Sequence, residues 1–363
     1  MKICLFSPYI PKHTGGGEKY LLDVAQYLAI DNDVVMAVSE SQFTSDADIK
    51  KKYLSFIQQP LTGITFISSP LGSSASVFKK MIWTAQFDVL YYLTDGSLFF
   101  SLARKNILHV QIPFTKPLTL LERLKLLTWQ VKNTNSTFTK SIIEKSWKTK
   151  VDVVHHPLVE LKLSSTFSAA SKQPVILSVG RFFKQLHSKR QDVLVDLFKQ
   201  LLKKYPSETK GWKLVLVGAV EDEEYVKAIK KVATGFPIEF YHNLSRRQLT
   251  DWYEQASIYW HAAGFGVNPE EYPEKVEHFG ISTAEAMLAH CAPVVLGKGG
   301  QPEVVGSQLA SYLWQTEKEC LAKTAKLLLS PAELAKAQKV AHQQALTFGS
   351  QMFNQKLHQM IES

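Results

Sequence analysis

Short apolar runs recur along the whole chain, separated by segments in which apolar residues have the spacing of amphipathic helices. Runs of this length, bounded by glycine, proline and polar residues, are typical of buried strands. Strands that alternate with helices pair in parallel, because each helix returns the chain to the same edge of the sheet. The pattern predicts an α/β protein with strands at residues 2–7, 34–38, 64–67, 88–93, 107–112, 151–157, 174–179, 213–218, 238–243, 258–261 and 292–296.

Length and composition narrow the class of protein. The 363 residues suffice for two hydrophobic cores, and a segment rich in serine, lysine and alanine at 160–173 is the natural linker between them. The three cysteines form no Cys-x-x-Cys pair, so neither a disulfide framework nor a zinc site is expected. The first apolar run is too short for a signal peptide, and no run is long enough to span a membrane. We expect a cytoplasmic protein.

The formal net charge is +9 and is spread over both halves of the chain. Such a surplus suits nucleic acid, an anionic membrane surface or phosphorylated substrates. Because the sequence has no zinc finger, RNP motif or basic helix run, we expect no nucleic-acid partner. Phosphate-bearing substrates are the simplest explanation of the charge.

The stretch from Glu277 to Glu285, Glu-His-Phe-Gly-Ile-Ser-Thr-Ala-Glu, carries the clearest chemical signal. Its first carboxylate precedes a turn at Gly280, and its second lies on the helix that follows. Backbone N–H groups at a helix start bind phosphate, and carboxylates accept hydrogen bonds from hydroxyls. The pair therefore suits a nucleotide-sugar, although spacing alone is equally compatible with two ordinary surface carboxylates.

Residues 277–305 resemble the donor site of the retaining glycosyltransferases of family 4, which have the GT-B fold. In that family a Glu, Phe, Gly turn leads to a second Glu, then to Pro-Val-Val and to a glycine-rich loop ending in Glu. Here the later parts are Pro293-Val294-Val295 and Gly299-Gly300-Gln301-Pro302-Glu303. The resemblance implies two Rossmann-like, doubly wound parallel-sheet domains facing a cleft. It places an acceptor-binding domain at 1–160, a nucleotide-sugar-binding domain at 161–347, and a C-terminal helix at 348–363 that crosses back to the first domain.

The resemblance assigns roles within the second domain. Glu277 positions the donor sugar as a catalytic residue, and Glu285 binds the ribose hydroxyls. The turn and the helix start between them bind the donor, through the residues Phe279, Gly280 and Ile281.

A strand ending in Gly180 and Arg181 precedes several cations. An arginine and a lysine in one pocket would stabilise the charge of a departing diphosphate. The family has Gly-Arg followed closely by Lys. The resemblance therefore implies that Gly180, Arg181 and Lys189 bind the donor, and that Arg181 and Lys189 are also catalytic. The gap to the lysine is longer here, which leaves Lys184 as an alternative.

Two further candidates lie in the first domain. Family members carry Gly-Gly-x-Glu after the first strand, between donor phosphate and acceptor, and Gly16 and Gly17 match this loop. His109 ends a strand, where ligands bind in open α/β sheets. A single histidine is more often structural, but the family places one near the reacting sugar, so His109 is a catalytic candidate and His13 a weaker one.

Residues 116–132 combine leucines, basic residues and a tryptophan. The simpler interpretation is a core helix. The alternative is an interfacial helix that makes peripheral contact with an anionic membrane. The sequence does not separate the two.

The function that follows from the resemblance is transfer of a sugar, with retention, from a nucleotide-sugar to a hydroxyl of a glycan or lipid-linked acceptor. No cofactor and no metal is expected. The triplet Asp46-Ala47-Asp48 superficially matches a metal motif, but aspartates are common at helix starts. The alternatives are a nucleotide-sugar epimerase or phosphorylase of the same fold, and an inactive glycan- or membrane-binding scaffold. The donor's sugar and base and the acceptor's identity stay open.

Overall fold

The structure is a computed structural model that describes residues 1–12, 15–57, 60–184 and 188–362. The chain divides into two compact units. Unit 1 consists of Met1–Leu158 and the segment that begins at Ser350, and unit 2 is Val159–Gly349. None of the described helices is long and apolar enough to cross a membrane.

Unit 1 contains a parallel sheet with the strand order β3-β2-β1-β4-β5-β6-β7 in its described residues. The strands are β1 (Lys2–Phe6), β2 (Asp33–Ser39), β3 (Ile64–Ser69), β4 (Val89–Leu93), β5 (Lys105–Val110), β6 (Val131–Thr134) and β7 (Val153–Val154). The helices between them are α1 (Gly16–Leu28), α2 (Asp46–Ile57), α3 (Val77–Thr84), α4 (Leu120–Leu126) and α5 (Thr137–Trp147).

Strand β1 shows why the strands of unit 1 are apolar runs without alternation. Ile3 and Leu5 belong to one hydrophobic core, whereas Cys4 and Phe6 belong to another. Successive side chains of a strand point to opposite faces, so both faces of this sheet are covered. Strands of a parallel sheet buried on both faces are therefore typically near-continuous apolar runs.

Unit 2 contains a second parallel sheet, whose described strands follow the order β10-β9-β8-β11-β12-β13. They are β8 (Gln173–Val179), β9 (Lys213–Gly218), β10 (Ile238–His242), β11 (Ala256–His261), β12 (Ala292–Leu296) and β13 (Leu313–Trp314). The helices are α6 (Gln191–Lys204), α7 (Glu223–Ala233), α8 (Arg246–Gln255), α9 (Ile281–Leu288), α10 (Gln301–Val305), α11 (Glu317–Leu329) and α12 (Pro331–Leu346).

The last helix, α13 (Ser350–Glu362), belongs to unit 1 although it follows unit 2 in sequence. It buries Phe353, Leu357, Met360 and Ile361 in the same core as Ile3 and Leu5.

The strand order of each unit reverses beside its first strand, between β1 and β4 in unit 1 and between β8 and β11 in unit 2. Ligands of open α/β sheets bind at the carboxyl ends of the strands next to such a reversal. In unit 2 this point is marked by Gly180, directly after β8, and by His261, the last residue of β11.

All the predicted strand positions are strands in the structure, but three predictions need correction. Residues 131 and 132, the end of the predicted helix at 116–132, lie in β6, and the last strand of unit 1 is only the two residues of β7. The core-helix interpretation of 116–132 is wrong. Helix α4 covers only Leu120–Leu126, and most of its leucines are exposed. Asp46 and Asp48 lie in the first turn of α2, as predicted.

Candidate functional site

Glu277 lies at the centre of a cluster of charged and polar side chains in unit 2. Its Oε2 contacts the Lys189 ammonium and lies 3.0 Å from Nε2 of His261. Only 16% of the Glu277 side chain and 19% of the Lys189 side chain are exposed, and His261 is buried. The structure thus brings together Glu277 and Lys189, which the sequence assigned to one site, and adds His261.

The surroundings of Glu277 keep it ionised. Burial by itself would raise the pKa of this carboxyl, but the Lys189 ammonium and the His261 ring hold it well below its usual range. Burial lowers the pKa of His261, against the effect of its hydrogen bond to Glu277. The ring is therefore neutral and donates through Nε2, which leaves a lone pair on Nδ1. Nδ1 has no hydrogen-bond partner among the residues that the structure describes.

A glycine pair after β12 fixes the backbone at Glu277. The Gly300 N–H donates to the Glu277 carbonyl at 2.8 Å. A Cβ on Gly299 would lie 2.1 Å from this carbonyl oxygen, and a Cβ on Gly300 would lie 2.2 Å from the carbonyl oxygen of His278. Gly299 also has a positive φ of +63°. Only glycine permits this approach, so the loop at residues 299–300 packs directly on the backbone of residues 277–278.

Helix α9 begins next to Glu277 with Gly280 as its N-cap, at φ 114°. A Cβ there would lie 2.5 Å from Nε2 of Gln301. Gln301 is buried, and within the described part of the chain neither of its side-chain polar atoms has a hydrogen-bond partner, nor has Oγ1 of Thr283. Buried polar atoms without partners are rare in native proteins. Their concentration at a helix N-terminus, which favours anions, indicates a place for a polar ligand.

Gly180 makes room for Lys189. A Cβ on Gly180 would lie 2.5 Å from Cγ of Lys189, so the lysine stem passes over the end of β8 on its way to Glu277. Gln191 donates to the carbonyls of Gly180 and Arg181 at 3.0 and 3.1 Å and ties the start of α6 to the same strand end. Lys184, the alternative lysine, is exposed.

Arg181 is not part of the Glu277 cluster in this structure. Its Nη1 lies 2.9 and 3.1 Å from the two carboxylate oxygens of Glu221, and 52% of its side chain is exposed. A long, exposed side chain with a solvated partner can turn at little cost. The structure places Arg181 beside the end of β8 without assigning its guanidinium to the site.

Glu285 lies on α9 with both carboxylate oxygens occupied. Arg246 Nη2 lies 2.5 Å from Oε1, and the Tyr253 hydroxyl donates to Oε2 at 3.0 Å. The Glu285 side chain is 6% exposed, whereas 34% of Arg246 is exposed. Arg246 also donates to the Glu160 carbonyl at 3.0 Å. Glu285 is therefore not a solvated helix residue, and a hydroxyl that reaches it has to share it with Arg246.

Phe279 and Ile281 differ in what they can offer a ligand. The Phe279 side chain is buried and packs edge-on against Phe348 at a ring separation of 5.2 Å. Phe279 can therefore offer a ligand only its backbone groups. Ile281 is the half-buried first residue of α9, where backbone N–H groups lack partners within the helix.

In unit 1, Gly16 and Gly17 open α1, and Gly17 packs against the side chain of Gln111, the residue after β5. A Cβ on Gly17 would lie 2.0 Å from Nε2 of Gln111. Glu18 accepts a hydrogen bond from the Gly15 N–H at 2.8 Å and closes the turn. His13, the weaker histidine candidate, lies outside the described residues.

His109 is fully buried in unit 1. Its ring stacks on Tyr20 with centroids 4.0 Å apart, and its Nδ1 donates to Oδ1 of Asn133. Burial lowers the pKa of His109 to about 4, so the ring is neutral, with its lone pair on Nε2. In the described structure Nε2 has no hydrogen-bond partner.

A second histidine extends this buried network. Tyr20 donates to Nδ1 of His155 at 2.6 Å and accepts from the Tyr91 hydroxyl at 2.6 Å. Nε2 of His155 then donates to the Phe353 carbonyl of α13 at 3.0 Å. Since each histidine has one nitrogen facing an acceptor, the hydrogen bonds define both tautomers.

Sequence reasoning missed His261, Arg246, Tyr253 and Gln301. His261 could have been found, since it ends a strand as His109 does. Gln301 stands inside the glycine-rich loop, but nothing in its sequence context indicates that it reaches Gly280. No sequence signal joins Arg246 and Tyr253 to Glu285, because these side chains of α8 meet Glu285 only in the folded unit.

Comparison with known proteins gives this site a family. Residues 162–344, half of the chain, match the family model described as glycosyl transferases group 1. The chain belongs to this family. The matched region contains the whole of the Glu277 cluster and the Glu285–Arg246 pair.

Solved structures similar to this glycosyltransferase cover nearly its whole length. HepE of Anabaena in complex with UDP and glucose covers 100% of both chains at 15% identity and a TM-score of 0.67. A glycosyltransferase from Rickettsia africae covers 99% of this chain and 97% of its own at 16% identity and a TM-score of 0.69. An S. aureus TarM mutant in complex with UDP and fondaparinux has 9% identity and a TM-score of 0.68 over 100% of both chains. The fold is GT-B, as predicted.

A curated relative is similar in sequence over part of the chain. It is a Neurospora crassa protein named GDP-Man:Man(3)GlcNAc(2)-PP-Dol alpha-1,2-mannosyltransferase, 29% identical over 195 residues. The alignment covers 46% of this glycosyltransferase and 33% of the relative. The chain thus spans about a third of the length of the curated relative that it matches.

Proposed function

We propose that this glycosyltransferase belongs with the retaining enzymes of family 4 and moves a sugar from a nucleotide-diphosphate sugar to a hydroxyl of a glycan or lipid-linked acceptor, without a metal. The observation that carries the proposal is the ionised carboxylate of Glu277, held by Lys189 and His261 beside the N-terminus of α9. Unit 2 binds the donor and unit 1 the acceptor.

The donor's diphosphate lies at the N-terminus of α9 in this proposal. Backbone N–H groups after Gly280 and the buried polar atoms of Thr283 and Gln301 supply hydrogen bonds there. The carboxylate of Glu277 accepts hydrogen bonds from hydroxyls of the sugar. Glu285 accepts hydrogen bonds from the ribose hydroxyls as well as from Arg246, whose side chain is partly exposed to solvent.

Departure of the diphosphate builds negative charge on its oxygens and positive charge at the anomeric carbon. Lys189 is already held at the site by Glu277 and offsets the growing negative charge. Arg181 contributes the second cation by exchanging Glu221 for phosphate. Glu277, ionised, stabilises the positive sugar. The departing phosphate takes the proton of the acceptor hydroxyl on the face that it leaves, which retains the anomeric configuration.

His109 is proposed as a residue that touches the sugar. Its neutral ring offers the lone pair of Nε2 as an acceptor for a sugar hydroxyl. Asn133 fixes the tautomer, so Nε2 does not act as a donor. The ring needs no change of charge to do this.

The names of similar proteins support the choice of substrates. The structures similar to this chain include complexes with UDP and with UDP-glucose, and the curated relative is named for a GDP-mannose donor and a dolichol-linked acceptor. We therefore propose UDP- or GDP-sugars as donors and a lipid-linked or polysaccharide acceptor. We also propose a location in the cytoplasm.

The first experiment is thermal stabilisation by UDP, GDP, ADP, CDP and NAD, with EDTA present throughout. A ligand that binds only the folded state raises the melting temperature by mass action. We expect one nucleoside diphosphate to stabilise the wild type and Glu277→Gln, and to stabilise Glu285→Ala less. Stabilisation by NAD alone, or by no nucleotide, would contradict the proposal.

The second experiment follows transfer with the sugar form of the nucleotide that binds. We expect Glu277→Gln to lower kcat by about 100-fold or more, because it removes a charge interaction that strengthens in the transition state. Proton NMR of the first product formed reports retention or inversion. Donor consumption that is independent of acceptor would favour an epimerase or phosphorylase. Tight nucleotide binding without turnover would favour an inactive scaffold.

A further inference from the structure

Unit 1 exposes large apolar side chains on two short helices, α3 and α4, and on the loop between β4 and β5. Phe78 and Ile82 of α3 are 76% and 73% exposed, and Leu120 of α4 and Leu127 just after it are 77% and 79% exposed. We call the full set the apolar face; it consists of Val77, Phe78, Ile82, Leu102, Leu120, Leu121, Leu124 and Leu127.

The loop between β4 and β5 contacts the C-terminal ends of both helices. The Leu102 N–H donates to Oγ1 of Thr84, the last residue of α3, at 3.0 Å. The preceding residue, Ser101, donates to Oγ1 of Thr128, two residues beyond α4, at 3.4 Å. Leu102 therefore lies between the C-terminal ends of the two helices.

Residue spacing keeps the exposed side chains together on each helix. Phe78 and Ile82 are one turn apart on α3, and Leu120, Leu124 and Leu127 follow the same turn-by-turn spacing along α4. The other side of α4 is anchored in the core, where Leu126 is buried. The helix is thus apolar on two sides, and only one of them is needed for folding. An exposed apolar area of this extent marks an interaction surface.

The charges around the apolar face select the partner. Lys116, which precedes α4, and Arg123 on α4 are exposed, and Lys125 on α4 is half-buried. Lys79 and Lys80 lie on α3; Lys79 pairs with Glu40, and Lys80 donates to the Ser73 carbonyl. The acid of α4, Glu122, is tied to its own helix start through the N–H and hydroxyl of Thr119. Leucines and a phenylalanine flanked by cations fit an anionic lipid surface, which buries the apolar side chains and attracts the charges.

We propose that unit 1 docks peripherally on an anionic membrane through the apolar face. A second copy of this chain fits less well, because a two-fold contact sets each patch against itself and would bring the cations of both copies together. The docking goes beyond the proposed sugar transfer and does not depend on it, since it requires neither donor nor acceptor.

Binding to vesicles tests the proposal. Wild-type protein is mixed with vesicles of phosphatidylcholine alone, or of equal parts phosphatidylcholine and phosphatidylglycerol, and the bound fraction is measured by flotation. We expect binding to the anionic vesicles, little binding to the neutral ones, and weaker binding at high salt. Leu120→Ser/Leu127→Ser and Phe78→Ser/Ile82→Ser should each weaken binding at least tenfold.

The matched control is Leu329→Ser/Leu346→Ser, which alters two leucines of unit 2 that are 62% and 56% exposed and should leave binding unchanged. All variants should melt near the wild-type temperature, because the altered side chains are exposed. Absence of wild-type binding to the anionic vesicles, or equal losses in the control, would overturn the proposal. So would a wild-type dimer in light scattering that the apolar-face variants dissociate, since a second copy would then be the occupant. Nucleotide stabilisation of the same variants reports separately on the donor site.

Discussion

Replacing Lys189 by Met tests whether the ion pair with Glu277 organises the site of this glycosyltransferase. Removing one partner of a fully buried pair costs about 3–5 kcal/mol, because the other charge stays buried and unpaired. Here the two side chains keep 19% and 16% exposure, and His261 continues to donate to Glu277. We therefore expect a loss of about 2–3 kcal/mol. In a unit of about 190 residues this lowers the melting temperature by about 4–12 °C.

The pH dependence of the loss identifies its cause. The pKa of Glu277 is depressed in the folded protein, so its stabilisation is present above the unfolded value near 4.5 and is lost as the pH falls through the folded pKa. Lys189→Met removes the main contact that lowers this pKa. In the variant Glu277 takes up a proton at higher pH, so its deficit relative to the wild type should shrink as the pH falls from 7 toward 4.5.

Differential scanning calorimetry at several pH values measures both effects. Lys213→Met is the matched control, since Lys213 pairs with Glu239 in the same unit but the two side chains are 30% and 38% exposed. A pair this exposed contributes about 0–1 kcal/mol. The double variant Lys189→Met/Glu277→Gln should recover more than half of the loss, because it leaves no unpaired charge. Equal losses at positions 189 and 213, or no recovery in the double variant, would refute the reasoning.

Two further predictions concern the loops and unit 1. Gly299→Ala should destabilise unit 2 and lower the rate of sugar transfer, because a Cβ there would lie 2.1 Å from the Glu277 carbonyl oxygen. Gly211→Ala is the control, since Gly211 also has a positive φ but has open space around it. It should show only the smaller backbone penalty in calorimetry and no loss of transfer. Burial lowers the pKa of His155 to about 3 and that of His109 to about 4, so below the unfolded value near 6.5 the unfolded state binds more protons. The stability of unit 1 should therefore fall as the pH drops from 6.5 toward 4. This slope in melting temperature should flatten in His155→Gln and persist in His358→Gln, which alters an exposed histidine; an unchanged slope in His155→Gln would contradict the assignment.

The sequence alone was sufficient to predict most of the sheet, because strands buried on both faces are uninterrupted apolar runs. It failed at β6, whose residues Val131–Thr134 are mostly polar. Asn133 is buried there because its side chain bonds to His109 and to the Leu108 carbonyl. Such a strand is recognisable only beside its neighbour, which supplies the partners that make polar residues tolerable in the interior.

The prediction of a core helix at residues 116–132 was wrong for the opposite reason. Its leucines have the spacing of a buried helix, and spacing shows which side chains lie on one side but not what that side faces. Leu126 is buried, whereas Leu120 and Leu124 on the same short helix are exposed. Only the packing of α4 on the sheet decides between them.

The sequence by itself determined those features of the site that depend on local backbone conformation. The glycines at 280 and 299 are needed because the backbone there has a positive φ, and the helix start after Gly280 follows from the pattern of residues 281–288. Tertiary structure decided which side chains meet. Lys189 follows β8, whereas His261 ends β11 and Glu277 follows it. The three side chains come together because β8 and β11 are adjacent parallel strands that end at one edge of the sheet. Arg246 reaches Glu285 because the fold of unit 2 brings the start of α8 close to the Glu285 side chain. Contacts between residues so distant in sequence depend on the packing of whole elements, which local sequence does not encode.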